Sequence, residues 1–484
     1  MDDRVTCAAF GRCGGCRYGA EPYAEQLAAK EQELVKLFRT VLPEEFFACG
    51  AYEGMLGSPS QWGSRNKMEF SFGNESKDGP LTLGLHKKGS FYDIIPVPDC
   101  RIAPADFGRI CAAVQAYFRE KGVPFLHKRS HQGSLRHLVL RSSQDGSILV
   151  NLVTASNYRP EEDFVSMLSA LPLEGQITGI LHTENNSLAD AVIPEKVNLL
   201  WGEDFLTETV LGMRFRISPF SFFQTNTRGA EVLYGKARDY ISLTPGCTVY
   251  DLYSGTGTIA QILAPAAGRI IGVEIVEEAV AAARENAALN GLSNCSFLAG
   301  DVLKVLDEVD EAPDIIVMDP PRDGVNPRAL SKIMNRGAGQ LLYISCKPSS
   351  LVRDIPALRL GGYEVKKLCF VDMFPNSANC EAIALLSKLS EVKHHIEVTV
   401  EMDELDLTSA ESLATYDEIR EWVQENYGFH VTNLNIAKMK RKHGIIERQN
   451  YNFPKSEDSR QPNCPEEKEK AIEEAIKHFK MIES

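Results

Sequence analysis

The chain has 484 residues, 44% hydrophobic and 24% charged, with twelve cysteines and a net charge of −14. Such a length gives room for about three domains and excludes a small disulfide-stapled fold, and the acidity excludes a generally sticky nucleic-acid binder while leaving local basic patches free to bind RNA. No run approaches the ~18 apolar residues of a membrane span, and the opening MDDRVTCAAF lacks the basic and apolar regions of a secretion signal, so a cytoplasmic protein with no membrane partner is expected.

The first block, residues 1–50, carries Cys7-x5-Cys13-x2-Cys16 and then an amphipathic stretch from about Pro22 to Arg39 that reads as a helix. Thiols this close in a chain without a secretion signal point to a soft metal. Four-thiolate zinc and an iron–sulfur cluster both satisfy the spacing. From 51 to 228, short alternating runs such as Lys67–Phe72 and Leu135–Arg141 are separated by Gly, Asn, Asp and Pro, with a helical excursion near Phe107–Lys121. That is a β-rich α+β middle domain. Cys49, Cys111, Cys247, Cys295 and Cys369 lie in apolar surroundings and read as core.

From 229 to 388, apolar strands alternate with helical segments: Thr248–Asp251, Gly257–Leu263, Arg269–Glu274, Glu277–Asn290, Ile315–Met318 and Leu341–Ile344. The rhythm predicts an α/β fold with a doubly wound, mostly parallel, Rossmann-like sheet. Asp251-Leu-Tyr-Ser-Gly255-Thr-Gly257 joins a strand to a helix, where glycines let backbone approach a ligand, and Glu274 ends the next strand, placed to accept from ribose hydroxyls. The same residues fit a dinucleotide fingerprint. The turn alone leaves nicotinamide and S-adenosylmethionine cofactors both open. Asp319-Pro-Pro-Arg322 puts a carboxylate at the carboxyl edge of the sheet, where ligands bind. Cys346, in Tyr343-Ile-Ser-Cys346-Lys-Pro348, is a candidate nucleophile. A sulfonium donor does not readily alkylate pyrimidine C5 unless a thiolate first adds at C6 and turns C5 into an enolate carbon. The adjacent Lys347 would favour that thiolate.

Residues 389–484 read as a small helical extension. His395–Asp403 alternates like a strand, and Thr415-x2-Glu418 is a capping box opening a helix to about Asn426. A second helix from about Thr432 to His443 carries Lys438, Lys440, Arg441 and Lys442, and a last charged helix follows the polar segment Pro454–Pro465. Two helices joined across Tyr427-Gly428-Phe429 suggest a helix-turn-helix nucleic-acid-binding module.

Over residues 1 to 387 the chain resembles the RNA (uracil-5-)-methyltransferase family, and most closely its 23S ribosomal RNA members with an iron–sulfur cluster. The likeness rests on Phe222-Phe-Gln-Thr-Asn226, Asp251–Gly257, Gly272-Val-Glu274, Asp319–Gly324, Ser345-Cys346 and Asn379-Cys-Glu381, in the family's order. It implies S-adenosylmethionine-dependent methylation of C5 of a specific uridine in RNA, 23S ribosomal RNA before tRNA, through a covalent cysteine–C6 adduct. By the same resemblance Cys346 is the nucleophile and Glu381 the base that removes the C5 proton. Gln224, Tyr253, Glu274 and Asp319 form the cofactor site, with Gln224 and Asp319 also reading the uracil. A [4Fe-4S] cluster is implied on Cys7, Cys13, Cys16 and Cys100, and no stable protein partner is implied.

Ser254 and Thr258 depart from the family's cofactor turn, and Cys380 from its usual residue before the base. Many relatives begin with a small β-barrel RNA-binding domain; without one here, RNA contact is expected on the middle region, through Arg65, Lys67, Arg136 and Arg141. Two other readings compete: a nicotinamide-dependent oxidoreductase with an iron–sulfur cluster, and a non-catalytic RNA-binding protein that keeps the cofactor fold.

Overall fold

The computed structural model describes residues 7–19, 21–389, 416–429, 431–443 and 466–478. The chain forms two compact units, Met1–Val392 and Lys393–Ser484.

The first unit holds an eight-stranded sheet in the spatial order Tyr52–Leu56, Tyr363–Val371, Glu381–Lys388, Gln340–Ser345, Ile315–Met318, Thr248–Leu252, Arg269–Glu274 and Cys295–Ala299. Its central strands are apolar on both faces because helices cover both. Val249, Val317 and Leu342 pack on one side against Leu233 of helix Thr227–Tyr240 and Val280 of helix Glu277–Leu289. Tyr250, Ile316 and Leu341 pack on the other against Ile333 of helix Pro327–Asn335 and Leu351 of helix Pro348–Leu360. Pairing is parallel except where Glu381–Lys388 runs antiparallel to both its neighbours. The expected doubly wound α/β sheet is therefore present. Tyr52–Leu56 joins it from the far end of the sequence, parallel to Tyr363–Val371.

A second sheet of seven strands is ordered Ile94–Pro96, Thr82–His86, Lys67–Gly73, Leu135–Ser142, Ser147–Thr154, Gln176–Glu184 and Lys196–Gly202. Helices Ala105–Lys121 and Glu162–Ser169 cover it through Ile110, Val114, Phe118, Phe164 and Leu168. The longer helix stops at Gly122, whose φ of +64° gives the left-handed residue that a helix end favours.

In the second unit, helices Tyr416–Tyr427, Asn433–Lys442 and Glu466–His478 share a core that includes Ile419, Val423, Ile436, Met439 and Ile472. The expected strand 395–403, the capping residue Thr415 and the segment 454–465 lie outside the described residues. The basic cluster does not stand wholly free on its helix: Lys440 is 5% exposed, and Lys442 pairs with Glu469 at 3.3 Å.

Candidate active site

The eight-stranded sheet brings the expected residues to one edge by register alone. Leu252 is level with Val273 and Met318, and Met318 with Tyr343, so Tyr253, Glu274, Asp319 and Cys346 all fall at or just beyond the carboxyl ends of four adjacent parallel strands. On the antiparallel neighbour, Ser345 pairs with Ala382. The ladder ends at that pair, with Cys346 following Ser345 and Glu381 preceding Ala382.

The turn after Thr248–Leu252 is built for close approach. Tyr253 has φ +65°, Gly255 +54° and Gly257 +71°. A left-handed tyrosine is costly and marks a conformation held by its surroundings. A Cβ on Gly257 would meet the Phe297 ring at 2.5 Å, whereas one on Gly255 would meet nothing within 4 Å, so open space faces the first glycine. The Glu274 carboxylate already accepts from the Gly255 N–H at 2.9 Å and the Val276 N–H at 3.0 Å. The buried Ser254 hydroxyl has no partner among the described residues.

The electrostatics of the edge are those of acids kept from water. Burial pushes the Glu381 carboxyl up to about 8, the nearby Asp319 adds to this, and Arg322 opposes it. Glu381 is 2% exposed and its Oε2 has no partner among the described residues. Burial alone raises Asp319 to about 7. The Cys346 thiol is pushed up to about 11 by burial, then by Glu381 and Asp319, against Arg322. The cation felt by Cys346 and Glu381 together is thus Arg322, while Lys347 is exposed at the start of the next helix.

Two further residues belong here. Asp251, fully buried, accepts from the Ala260 N–H at 3.0 Å, and its Oδ1 has no partner among the described residues; burial raises it to about 8 against that hydrogen bond. Tyr234 is raised by burial and by Asp319, and its hydroxyl is within reach of the Gln224 side chain. Gln224 is half-buried in the loop before helix Thr227–Tyr240.

A groove of about 990 Å³ runs beside this edge, lined by Arg17, Arg65, Lys67, Phe222, Thr225 and Asn379 among others. Arg65 and Lys67 therefore face open space, as expected of RNA contacts. Arg136 and Arg141 do not. Arg136 is buried and donates to the carbonyls of Asn185, Ser187 and Ala189 at 2.9, 2.7 and 2.6 Å. Arg141 is buried and donates to those of Ser218, Ser221 and Phe223, fixing the loop that carries Phe222 and Gln224. Their charge goes to backbone carbonyls because a buried guanidinium must be hydrogen-bonded.

Cys7, Cys13, Cys16 and Cys100 line one cavity of about 20 Å³. Burial pushes the Cys16 thiol up to about 12, and Cys100, Cys13 and Cys7 add to it. The four sulfurs share a cavity without reaching the geometry of a bound ion: no group of three or more His, Cys, Asp or Glu among the described residues is arranged to hold one. Of the cysteines expected in the core, Cys111, Cys247 and Cys369 are buried and Cys295 half-buried, whereas Cys49 is exposed. Among the described residues no helix is long and apolar enough to cross a membrane.

A family model described as a methyltransferase domain matches residues 243–367, the stretch holding the cofactor-type turn, Glu274, Asp319 and Cys346. An uncharacterized RNA methyltransferase of Clostridium tetani is 44% identical over 384 residues, covering 79% of this chain and 83% of the relative. Another, from Caldanaerobacter subterraneus, is 44% identical over 79% of this chain and 84% of its own. Among solved structures, the tRNA (uracil-54, C5)-methyltransferase of Pyrococcus abyssi in complex with S-adenosyl-L-homocysteine superposes with a TM-score of 0.63 at 24% identity, covering 76% of this chain and 84% of that one, a likeness of fold. With a methyltransferase domain around the carboxyl-edge site and relatives at this identity over most of their length, the chain belongs to the RNA methyltransferase family.

Proposed function

We propose that this enzyme methylates C5 of a uridine in RNA, with S-adenosylmethionine as donor and 23S ribosomal RNA as the favoured substrate over tRNA. The observation that carries the reading is that Cys346 and Glu381 flank the end of the ladder closed by Ser345 and Ala382, with Glu381 and Asp319 both near enough to act on the Cys346 thiol. That is the pair which C5 substitution needs and a simple hydroxyl or amine methylation does not.

The Cys346 sulfur adds to C6 of the uracil, placing an electron pair at C5. Its own proton passes to the neighbouring Asp319 carboxylate, one of the two that act on its charge, so that Glu381 stays unprotonated for the later step. S-Adenosylmethionine, held by Tyr253, Glu274 and the Gly255 turn with Gln224 and Asp319 close by, supplies the methyl group. Glu381 then takes the C5 proton, and the electrons of that C–H bond expel the thiolate from C6 and restore the ring. A carboxyl raised by burial suits this task, because a dry pocket strengthens it as a base for a carbon-bound proton. Gln224 and Asp319 present amide and carboxyl groups that can pair with the uracil edge. Phe222, 78% exposed at the groove, offers a ring to bases that must unstack for the uridine to enter.

Four thiols are the soft donor type that a [4Fe-4S] cluster takes, so Cys7, Cys13, Cys16 and Cys100 would be its ligands once their sulfurs draw apart around it. Methyl transfer needs no electron flow, so the cluster would brace the amino-terminal loop beside the groove. The test of the whole reading is methyl transfer from labelled S-adenosylmethionine to 23S and tRNA transcripts, with the product nucleoside identified by mass spectrometry. We expect 5-methyluridine in 23S RNA; label appearing only on other atoms overturns it.

A further inference from the structure

The methyl-transfer site makes no use of one tip of the seven-stranded sheet. Past the strand Thr82–His86 the chain turns at Lys87–Ser90, with the Ser90 N–H donating to the Lys87 carbonyl at 3.0 Å, and then presents Phe91 and Tyr92, 60% and 46% exposed. A single exposed ring needs no explanation. This pair is held in place while left in water. The rings meet edge to face at 5.5 Å and 90°. The Lys128 ammonium sits 4.2 Å from the Phe91 centroid, and the Arg129 guanidinium 4.9 Å from that of Tyr92. Lys128 also donates to the Phe91 carbonyl at 2.7 Å and to Asp190 at 2.5 Å, which fixes the loop from below.

The charge around the rings is opposite to that of the chain. Lys87, Lys88, Lys128 and Arg129 face two carboxylates, Asp93 paired with Lys87 and Asp190 paired with Lys128, a surplus of two positive charges on a chain of net −14. The patch is also continuous with the groove. Phe91 lies nearly parallel to His86 at 6.3 Å, and His86 and Lys88 line the groove together with Arg17, Arg65 and Lys67.

We propose that Phe91, Tyr92, Lys88 and Arg129 form a second docking site for the RNA, one that takes an unpaired segment away from the target uridine. Flat π faces beside cations suit unpaired bases and their phosphates, since a duplex hides its base faces in the stack. An acidic peptide would engage the cations and leave the rings idle. The inference rests on RNA being the substrate and names the part of it that the middle sheet holds.

The test uses the full chain, a labelled twelve-nucleotide oligouridylate, and the same strand annealed to its complement. We expect Phe91→Ala with Tyr92→Ala to weaken single-strand binding ~10-fold or more, in line with ~1–3 kcal/mol per stacked base, and to change duplex binding less than twofold. Arg129→Ala should reduce the slope of log affinity against log salt by ~0.7, the value for one phosphate contact on a single strand. On a transcript that wild type methylates, the double variant should raise KM with kcat unchanged. Single-strand affinity within twofold of wild type, equal losses on strand and duplex, or no binding of the oligouridylate by wild type would each overturn the proposal. Failure of wild type to make 5-methyluridine, with the single-strand loss still present, would instead overturn the proposed reaction and leave the docking site standing.

Discussion

Asp251 shows how much one buried carboxyl can shape this protein. Its folded-state value of about 8 lies above the unfolded carboxylate range, so the folded chain holds an extra proton between about pH 4 and 8. Stability is then full below the unfolded value and falls as pH rises through the folded one. Asp251→Asn keeps an acceptor for the Ala260 N–H and removes the titration. We expect this variant to be the more stable at pH 8 by a few kcal/mol, since each pH unit between the unfolded and folded values is worth ~1.4 kcal/mol, with the advantage gone at pH 4, read from urea unfolding at both values. Arg322 acts in the opposite sense, holding down both Cys346 and Glu381. Arg322→Ala should move the rise of single-turnover rate to higher pH and lower the rate at pH 7, by a modest factor because an exposed guanidinium is screened by solvent, whereas Arg322→Lys should restore most of it. An unchanged pH profile would contradict this role. The strand-end chemistry of Cys346, Asp319 and Glu274 was legible because each follows an apolar run. Asp251 stood in the glycine turn without a role, since nothing local tells a buried strand-end acid from one facing a ligand. Tyr234 occupies an apolar-face position of its helix and carries no sequence signal. Arg136 and Arg141 misled because charge marks a surface only until a buried loop needs donors.

The loop that delivers Glu381 is fixed by the amino-terminal elements. Lys30, on helix Tyr23–Phe38, reaches Asp372 at 2.8 Å with both side chains at most 1% exposed, and it also donates to the Phe374 carbonyl at 3.2 Å. Gln26 donates to the Asn376 side chain at 3.3 Å, and the Asn376 carbonyl accepts from the N–H groups of Arg17 and Tyr18, just after Cys16. Asn376 holds φ +65°, a left-handed conformation that asparagine tolerates better than most. Breaking a buried pair leaves a bare charge, so Lys30→Met should cost ~3–5 kcal/mol, and adding Asp372→Leu should recover part of that. A loss under ~1 kcal/mol would show that the pair does not hold the loop. The helix itself was plain from its periodicity. Its partner was not, because Tyr52–Leu56 pairs with a strand some three hundred residues later, and such closure leaves no mark on local pattern.

At the scale of the molecule, every residue assigned to chemistry lies within Met1–Val392, while helices 416–478 have a core of their own. A chain ending at residue 392 should therefore bind S-adenosylhomocysteine within twofold of the full chain, measured by calorimetry; a tenfold loss would tie the extension to the cofactor site. Strand and helix order was legible for the four central strands Thr248–Leu252, Arg269–Glu274, Ile315–Met318 and Gln340–Ser345, whose apolar runs leave a strong period, whereas Cys295–Ala299, Tyr363–Val371 and Glu381–Lys388 were not read as strands. The helix-turn-helix reading of the extension was weaker, since a basic run says nothing of which lysines turn inward.

The proposed reaction turns on thiolate attack of Cys346 on a uracil ring. Fluorine at C5 cannot leave as a proton does, so RNA bearing 5-fluorouridine should stop the reaction at the covalent stage. After incubation of 5-fluorouridine-substituted 23S or tRNA transcripts with protein and S-adenosylmethionine, a denaturing gel should show a shifted protein–RNA band for wild type and none for Cys346→Ala. A band that persists in Cys346→Ala, or none in wild type while S-adenosylmethionine still binds, would contradict the assignment of the nucleophile or of the base it attacks.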